Sequence, residues 1–486
     1  MDQSLKILFL AAEADPFVKV GGLGDVAGSL PRALRTLSSK LDVRLCIPMH
    51  RTLNLGELEK RPLVNYSIPR AGRQIPVQVY EVDLFGVPVY LIDGPPISSA
   101  QSVYSSDMSS DGEKYTFFSL AALELNRHIS WQPNIIHAND WHTASAVYAL
   151  TQRHSDPHYA WIKSIIEIHN LPFMGGGASP YLSAYELHPS SCALLPDWAR
   201  HFPLPMALAT ADAIVAVSPA YASELLTPEF GCGLQDFLRS RADVLSGILN
   251  GLDLNDWDPS TDQALKVNFD KTNLGRRLEN KSHLQASLGL PVNPDIPIFA
   301  MITRMDPQKG VDIAVEGLRK VINQNWQAVI LGTGIPYLED SVRSLQDEFP
   351  DRVIAEIRYD AHLSREIYGG ADILLMPSRY EPCGLAQMIA MHYGCVPLAR
   401  ATGGLTDTIR VYTDTADGTG FLFDEPSADA FANCLNEALL VFQDKDRWRK
   451  LQRNGMSQDF SWENAARQYE ELYQKLLVNK DAEKYG

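Results

Sequence analysis

The chain has 486 residues, 45% of them apolar and 21% charged, with a formal net charge of −16. That is apolar material for about two or three cores, and an acidic balance without a basic run repels nucleic acid and anionic membrane alike. No apolar run approaches the roughly 18 residues of a membrane span, the first residues lack a signal-peptide pattern, and the six scattered cysteines form no Cys-x-x-Cys or zinc-spaced cluster. These features point to a cytoplasmic protein with reduced thiols, in which any anionic ligand needs a local cationic pocket.

In chain order, Lys6 to Ala11 reads as a buried strand, followed by Lys19-Val20-Gly21-Gly22-Leu23-Gly24-Asp25-Val26 and an amphipathic helix. A strand, a glycine turn and a helix start bring backbone close to phosphate, because no Cβ intervenes. The turn is not Gly-x-Gly-x-x-Gly, so a dinucleotide fingerprint is weak; Lys19 either adds a point charge to the crevice or is a solvated surface lysine. Residues 63–93 alternate as β-structure and 94–113 read as a long loop. Ile135 to His142 (Ile-Ile-His-Ala-Asn-Asp-Trp-His) and Ile165 to Asn170 (Ile-Ile-Glu-Ile-His-Asn) each end a strand in polar groups. Carboxylates, amides and an indole in such a rim suit a sugar, whose hydroxyls pair with polar groups while an aromatic face covers its C–H side. A single His there is more often a satisfied core residue.

Asp253 to Asp262, acidic and with Pro259 and Ser260, reads as a linker. A second strand and helix series follows from Pro297. Arg304 and Lys309 bracket the turn after Ile298–Ile302, and together they offer the cationic site that the acidic chain otherwise lacks. Val353 to Ile357 leads to Tyr359, which would stack on a base or simply pack. The apolar run Asp372 to Pro377 ends just before Glu381, and Gly384 then frees a tight turn into a helix whose first amides suit an anion. Thr402-Gly403-Gly404 repeats that arrangement one strand later. The final helix, Glu463 to Leu477, carries Ala466, Tyr469, Leu472, Tyr473 and Leu476 at helical spacing. The fold class is therefore α/β, with two Rossmann-like halves whose rims suit a donor and an acceptor.

Taken together, Lys19-Val-Gly-Gly-Leu-Gly-Asp-Val26, His137-Ala-Asn-Asp-Trp-His142, Ile168-His-Asn-Leu171, Arg304-Met-Asp-Pro-Gln-Lys-Gly310, Pro377-Ser-Arg-Tyr-Glu-Pro-Cys-Gly-Leu385 and Ala401-Thr-Gly-Gly-Leu-Thr-Asp407 resemble the bacterial glycogen synthase and plant starch synthase family, glycosyltransferase family 5. The resemblance runs in family order from about residue 6 to about residue 475. It implies a GT-B enzyme: two Rossmann-like domains facing across a cleft, with a C-terminal helix that crosses back to the N-terminal domain. The implied organisation is an acceptor-side domain over 1–252, a linker region over 253–296, a donor domain over 297–460 and a terminal helix over 461–486. The implied reaction moves glucose from ADP-glucose to the non-reducing end of an α-1,4-glucan, retaining configuration and using no cofactor or metal.

The same resemblance assigns roles. His169 contacts the transferred sugar, Arg304 and Lys309 hold the diphosphate, and Glu381 binds glucose hydroxyls or supports the developing positive charge. Lys19, Gly21, Gly22, Cys383, Gly384, Leu385, Thr402, Gly403 and Gly404 fall around the donor, with Tyr359 on the base. Asp140, Trp141 and Asn170 fall where the acceptor is held. The eighth residue after Glu381 is Ile389, not the second glutamate of family 4 transferases. Val20 replaces a usual Thr, and the lysine-glycine pair expected before Ala211-Asp212 is missing. The competing readings are a GT-B transferase using UDP-glucose or another acceptor, and a catalytically weak glucan-binding homologue.

Overall fold

The computed structural model describes residues 4–413 and 417–484. The chain forms two compact units, Met1–Gly251 together with Trp462–Gly486, and Leu252–Ser461.

Among the described residues, the first unit is built on a nine-stranded sheet. Its strands are β1 (Leu5–Leu10), β2 (Leu41–Pro48), β3 (Arg61–Arg70), β4 (Arg73–Leu84), β5 (Val87–Asp93), β6 (Ile135–Asn139), β7 (Lys163–Ile168), β8 (Ala213–Ala216) and β9 (Leu245–Gly247). They lie in the order β3-β4-β5-β2-β1-β6-β7-β8-β9. β3, β4 and β5 form an antiparallel edge, and the remaining pairings are parallel. Ile7, Leu8, Phe9 and Leu10 are wholly buried, as expected of an uninterrupted apolar strand covered on both faces. The chain lays β2 on one side of β1 and β6 on the other, so the sheet's switch point falls between β1 and β6. The loops leaving the carboxyl ends of those two strands border one crevice.

The helix Trp462–Lys484 belongs to this first unit. Its Trp462, Ala466, Tyr469, Tyr473 and Leu476 enter the core beneath the sheet, which is what the spacing of its apolar residues demands. The helix therefore returns to the N-terminal domain as the resemblance implied.

The second unit carries β10 (Ile298–Ile302), β11 (Gln327–Leu331), β12 (Val353–Glu356), β13 (Ile373–Met376), β14 (Val396–Arg400) and β15 (Phe421–Phe423). These form a six-stranded parallel sheet in the order β12-β11-β10-β13-β14-β15. Its switch point lies between β10 and β13, whose following loops contain Arg304, Lys309 and Glu381.

Residues 253–296, expected as a linker region, are instead part of the second unit. Arg277 donates to the carbonyls of Tyr393 at 2.9 Å and Tyr368 at 3.1 Å. Lys281 lies 2.8 Å from a carboxylate oxygen of Asp372, whose same oxygen accepts the Ile298 amide at 2.9 Å. Arg277, Lys281 and Asp372 are all buried. The stretch looks linker-like because its anchors are charged, and composition does not reveal that buried charges pair with one another.

Candidate active site

In the first unit, the segment after β1 places Glu13 beneath the Lys19–Gly22 loop. Glu13 is 1% exposed. Its carboxylate accepts the amides of Val20 and Gly21 and, at 3.0 Å, the hydroxyl of Tyr104. Burial pushes its pKa up against the lowering effect of those hydrogen bonds. Lys19 extends from the loop and pairs with Asp25 at 2.5 Å. A Cβ at Gly22 would meet nothing within 4 Å, so the helix Gly22–Leu37 starts on open space.

The ends of β6 and β7 converge beside it. Asn139 donates through Nδ2 to the carbonyl of Leu10 at 2.8 Å, which turns its Oδ1 towards His169 Nε2 at 2.9 Å. With that amide orientation Nε2 carries the hydrogen, so a neutral His169 ring has Nδ1 as its acceptor. Asp140 adopts φ +55°, a conformation L-residues rarely take. One of its carboxylate oxygens accepts the amides of His169 at 2.8 Å and Asn170 at 3.2 Å. Burial raises the Asp140 pKa while the His169 charge opposes the shift. Asp140, expected at the acceptor, is thus a buried clamp on the loop after β7. Trp141 packs edge-on to Tyr115 with centroids 5.4 Å apart. Asn170 Oδ1 is buried with no hydrogen-bond partner among the described residues.

In the second unit, the turn after β10 and the loop after β13 meet at the switch point. Lys309 Nζ lies 2.8 and 2.6 Å from the oxygens of Glu381, and Ser378 Oγ donates to Glu381 Oε2 at 3.0 Å. Glu381 is buried. Thr303, Lys309, Ser378, Glu381, Gly384 and Leu385 line a pocket of about 60 Å³. Two links hold these loops together. Arg379 grips Asp312 with contacts of 2.9 and 2.7 Å and donates to the carbonyl of Pro307 at 2.8 Å. Gln308 donates to the carbonyl of Tyr380 at 3.2 Å. Gly310, with φ +66°, follows Lys309, and a Cβ there would sit 2.0 Å from the carbonyl oxygen of Pro377.

The remaining expected residues fall into three groups. Arg304 is paired with Asp306 at 3.4 Å, with its side chain 64% exposed. Tyr359 follows β12 with 85% exposure, which removes the packing alternative for its ring. Thr402, Gly403 and Gly404 follow β14, against the loop that carries Cys383. A Cβ at Gly404 would lie 2.1 Å from the Cys383 carbonyl, and the Gly404 amide already donates to the Glu381 carbonyl at 3.1 Å. Gly404 therefore locks two loops together instead of offering an amide to phosphate, as had been expected of it. Cys383 is buried.

Glu13, Asn139, Ser378, Arg379 and Asp312 were not expected. For Glu13 the signal was present, a carboxylate a few residues beyond a buried strand and just before a glycine turn. Among the described residues no cluster of three or more His, Cys, Asp or Glu is placed to hold a metal. Nor is any described helix long and apolar enough to cross a membrane.

Comparison with known proteins covers both units. The family described as starch synthase catalytic domain matches residues 6–240, and glycosyl transferases group 1 matches residues 288–455. Glycogen synthase from Clostridium botulinum (strain Alaska E43 / Type E3) is 38% identical over 481 residues, spanning 97% of this chain and 99% of the relative. Glycogen synthase from Thermotoga petrophila is 38% identical over 495 residues, spanning 98% and 99%. Among solved structures, the catalytic domain of starch synthase IV from Arabidopsis thaliana bound to ADP and acarbose matches with a TM-score of 0.90 at 31% identity, covering 98% of this chain and 100% of that one. Sucrose-phosphate synthase from Thermosynechococcus elongatus, at 20% identity and a TM-score of 0.62, shares the fold. The architecture is that of GT-B.

Proposed function

Because the chain belongs to the glycogen synthase and starch synthase family of glycosyltransferases, we propose that it transfers glucose from ADP-glucose to the non-reducing end of an α-1,4-glucan, in the cytoplasm and without a metal or cofactor. The observation that carries this reading is the Lys309–Glu381 pair at the switch point of the second sheet, where open α/β sheets hold nucleotides.

In this reading Lys309 and Arg304 take the diphosphate and offset the charge that builds on departing ADP. A fixed cation at the leaving group acts on the transition state, where such donors are worth on the order of 10² to 10³ in rate. Glu381, neutralised by Lys309, accepts glucose hydroxyls and faces the developing positive charge at C1. The bond from C1 to the β-phosphate oxygen breaks, and the acceptor hydroxyl bonds to C1 from the same face. Its proton passes to the departing phosphate. Gly384 and Leu385 line the pocket, Cys383, Thr402 and Gly403 serve the donor from beside it, Tyr359 offers its exposed ring to the base, and Lys19, Gly21, Gly22 and His169 serve the sugar and diphosphate. Trp141 and Asn170 serve the acceptor.

A stacking ring accepts either base, since each has a π-face. Donor identity is therefore tested by assaying nucleoside diphosphate release with ADP-glucose and with UDP-glucose, with and without maltoheptaose. Primer-dependent release from ADP-glucose at a much higher kcat/KM supports the reading. A preference for UDP-glucose, or release that ignores the primer, contradicts it.

A further inference from the structure

Behind His169 lies a chain of buried polar groups with no direct claim on a substrate. Glu167 is wholly buried at the end of β7, and its two carboxylate oxygens point to two imidazoles. Oε2 lies 2.8 Å from His137 Nε2, and Oε1 lies 3.5 Å from His169 Nε2. The other nitrogen of His137, Nδ1, lies 2.8 Å from the hydroxyl of Tyr473 on the C-terminal helix. The ring of Tyr469, from the same helix, has its centroid 5.3 Å from that of His137.

An ionised carboxylate at zero exposure is expensive unless cations or donors face it. Burial pushes the Glu167 pKa up, yet the charge of His169 and the hydrogen bond from His137 outweigh it and hold the group below the usual carboxylate range. The groups that face it are His137, His169, Tyr469, Tyr473 and, from the start of the helix that follows β6, Asp140. A side chain needed only for packing would not be an acid here, because an apolar residue of similar volume fills such a site without the desolvation penalty.

We propose that Glu167 is a positioning residue for His169: Asn139 takes the hydrogen bond from Nε2–H, Glu167 holds the ring electrostatically from 3.5 Å behind it, and Glu167 is itself held by His137 and, through His137, by Tyr473 of the C-terminal helix. This rests on the reading of His169 as a contact of the transferred glucose. It also gives the returning C-terminal helix a role in the chemistry, since the last hydroxyl of the chain of contacts comes from residue 473. Partners that orient a functional histidine are typically worth about 10- to 100-fold in activity.

The test is a double-mutant cycle on the full chain, read as kcat and as KM for ADP-glucose with maltoheptaose as primer. Glu167→Gln keeps the shape and removes the charge. It is expected to lower kcat by roughly 10- to 100-fold while KM moves by less than about threefold. In a His169→Ala background the same change is expected to cost less than about twofold, because two residues acting through one another do not add. An unchanged kcat in Glu167→Gln, or an equal loss in both backgrounds, overturns the proposal and leaves the site reading intact. A His169→Ala enzyme with near wild-type kcat overturns the site reading and the proposal with it. If Glu167→Gln does not fold, Tyr473→Phe decides: a loss of kcat that vanishes in the His169→Ala background supports the proposal, and an unchanged kcat overturns it.

Discussion

Lys309 places its ammonium within 2.8 Å of both carboxylate oxygens of Glu381, a residue 72 positions further along the chain. The two come from loops on either side of a sheet switch point, and neither is solvated enough to do without the other. Lys309→Ala is expected to lower kcat by about 10² to 10³. It also leaves a buried carboxylate without its cation, so the thermal midpoint falls as well. Glu381→Gln, which keeps the hydrogen-bonding shape, should lose comparable activity with a smaller loss of stability. Steady-state kinetics and thermal unfolding of both variants check this.

Tyr359 exposes most of its ring, so its removal leaves the fold undisturbed. Tyr359→Ala should raise KM for the nucleotide sugar by roughly 5- to 150-fold, the range expected for about 1–3 kcal/mol of base stacking. The change in kcat should be small and the unfolding midpoint unaltered. Titration of ADP against the variant gives the same comparison without turnover.

Glu13 gives a pH signature. Its folded-state pKa lies above the ordinary value, so the folded protein binds this proton more tightly than the unfolded chain does. The stability it contributes is present below the unfolded pKa and is lost as pH rises through the folded one. Glu13→Gln should therefore gain stability relative to wild type as pH is raised through that window. Its activity should nevertheless fall, because one amide oxygen replaces two carboxylate oxygens under the Val20 and Gly21 amides. Chemical denaturation across the acidic-to-neutral range measures the first effect and kcat the second.

Lys281 tests where residues 253–296 belong. Lys281→Ala takes from the buried Asp372 its nearer cation and leaves Arg277 at 3.9 Å; breaking a buried pair costs about 3–5 kcal/mol. The expected outcome is a lower denaturation midpoint with KM for the donor unchanged. A connecting segment outside both cores would tolerate the change.

What was legible in the sequence follows from what each feature depends on. The strands could be read because parallel strands covered on both faces are unbroken apolar runs, and their polar ends marked the rims. Lys309 and Glu381 were legible as rim residues, and Tyr469 and Tyr473 as a buried helix face. The supporting contacts were not, since Asn139 to His169 and Arg379 to Asp312 join positions far apart in sequence. Glu167 was hidden for a related reason: in an apolar strand it looks like a single polar interruption, and only the fold brings His137 and His169 to either side of it. Gly404 carried a phosphate signature, but the structure puts its amide on the Glu381 carbonyl. The stretch around Arg277 and Lys281 fell within the expected linker region because composition cannot show that these cations pair with Asp372.

The central claim is retaining glucosyl transfer to the end of a glucan, and the linkage of the first product tests it most directly. Proton NMR of maltoheptaose extended with ADP-glucose reads the new anomeric signal and its position. The account predicts one added glucose in α-1,4 linkage at the non-reducing end, formed about 10²- to 10³-fold more slowly by Lys309→Ala. A β linkage, addition elsewhere on the primer, or release of free glucose as the main product would contradict it.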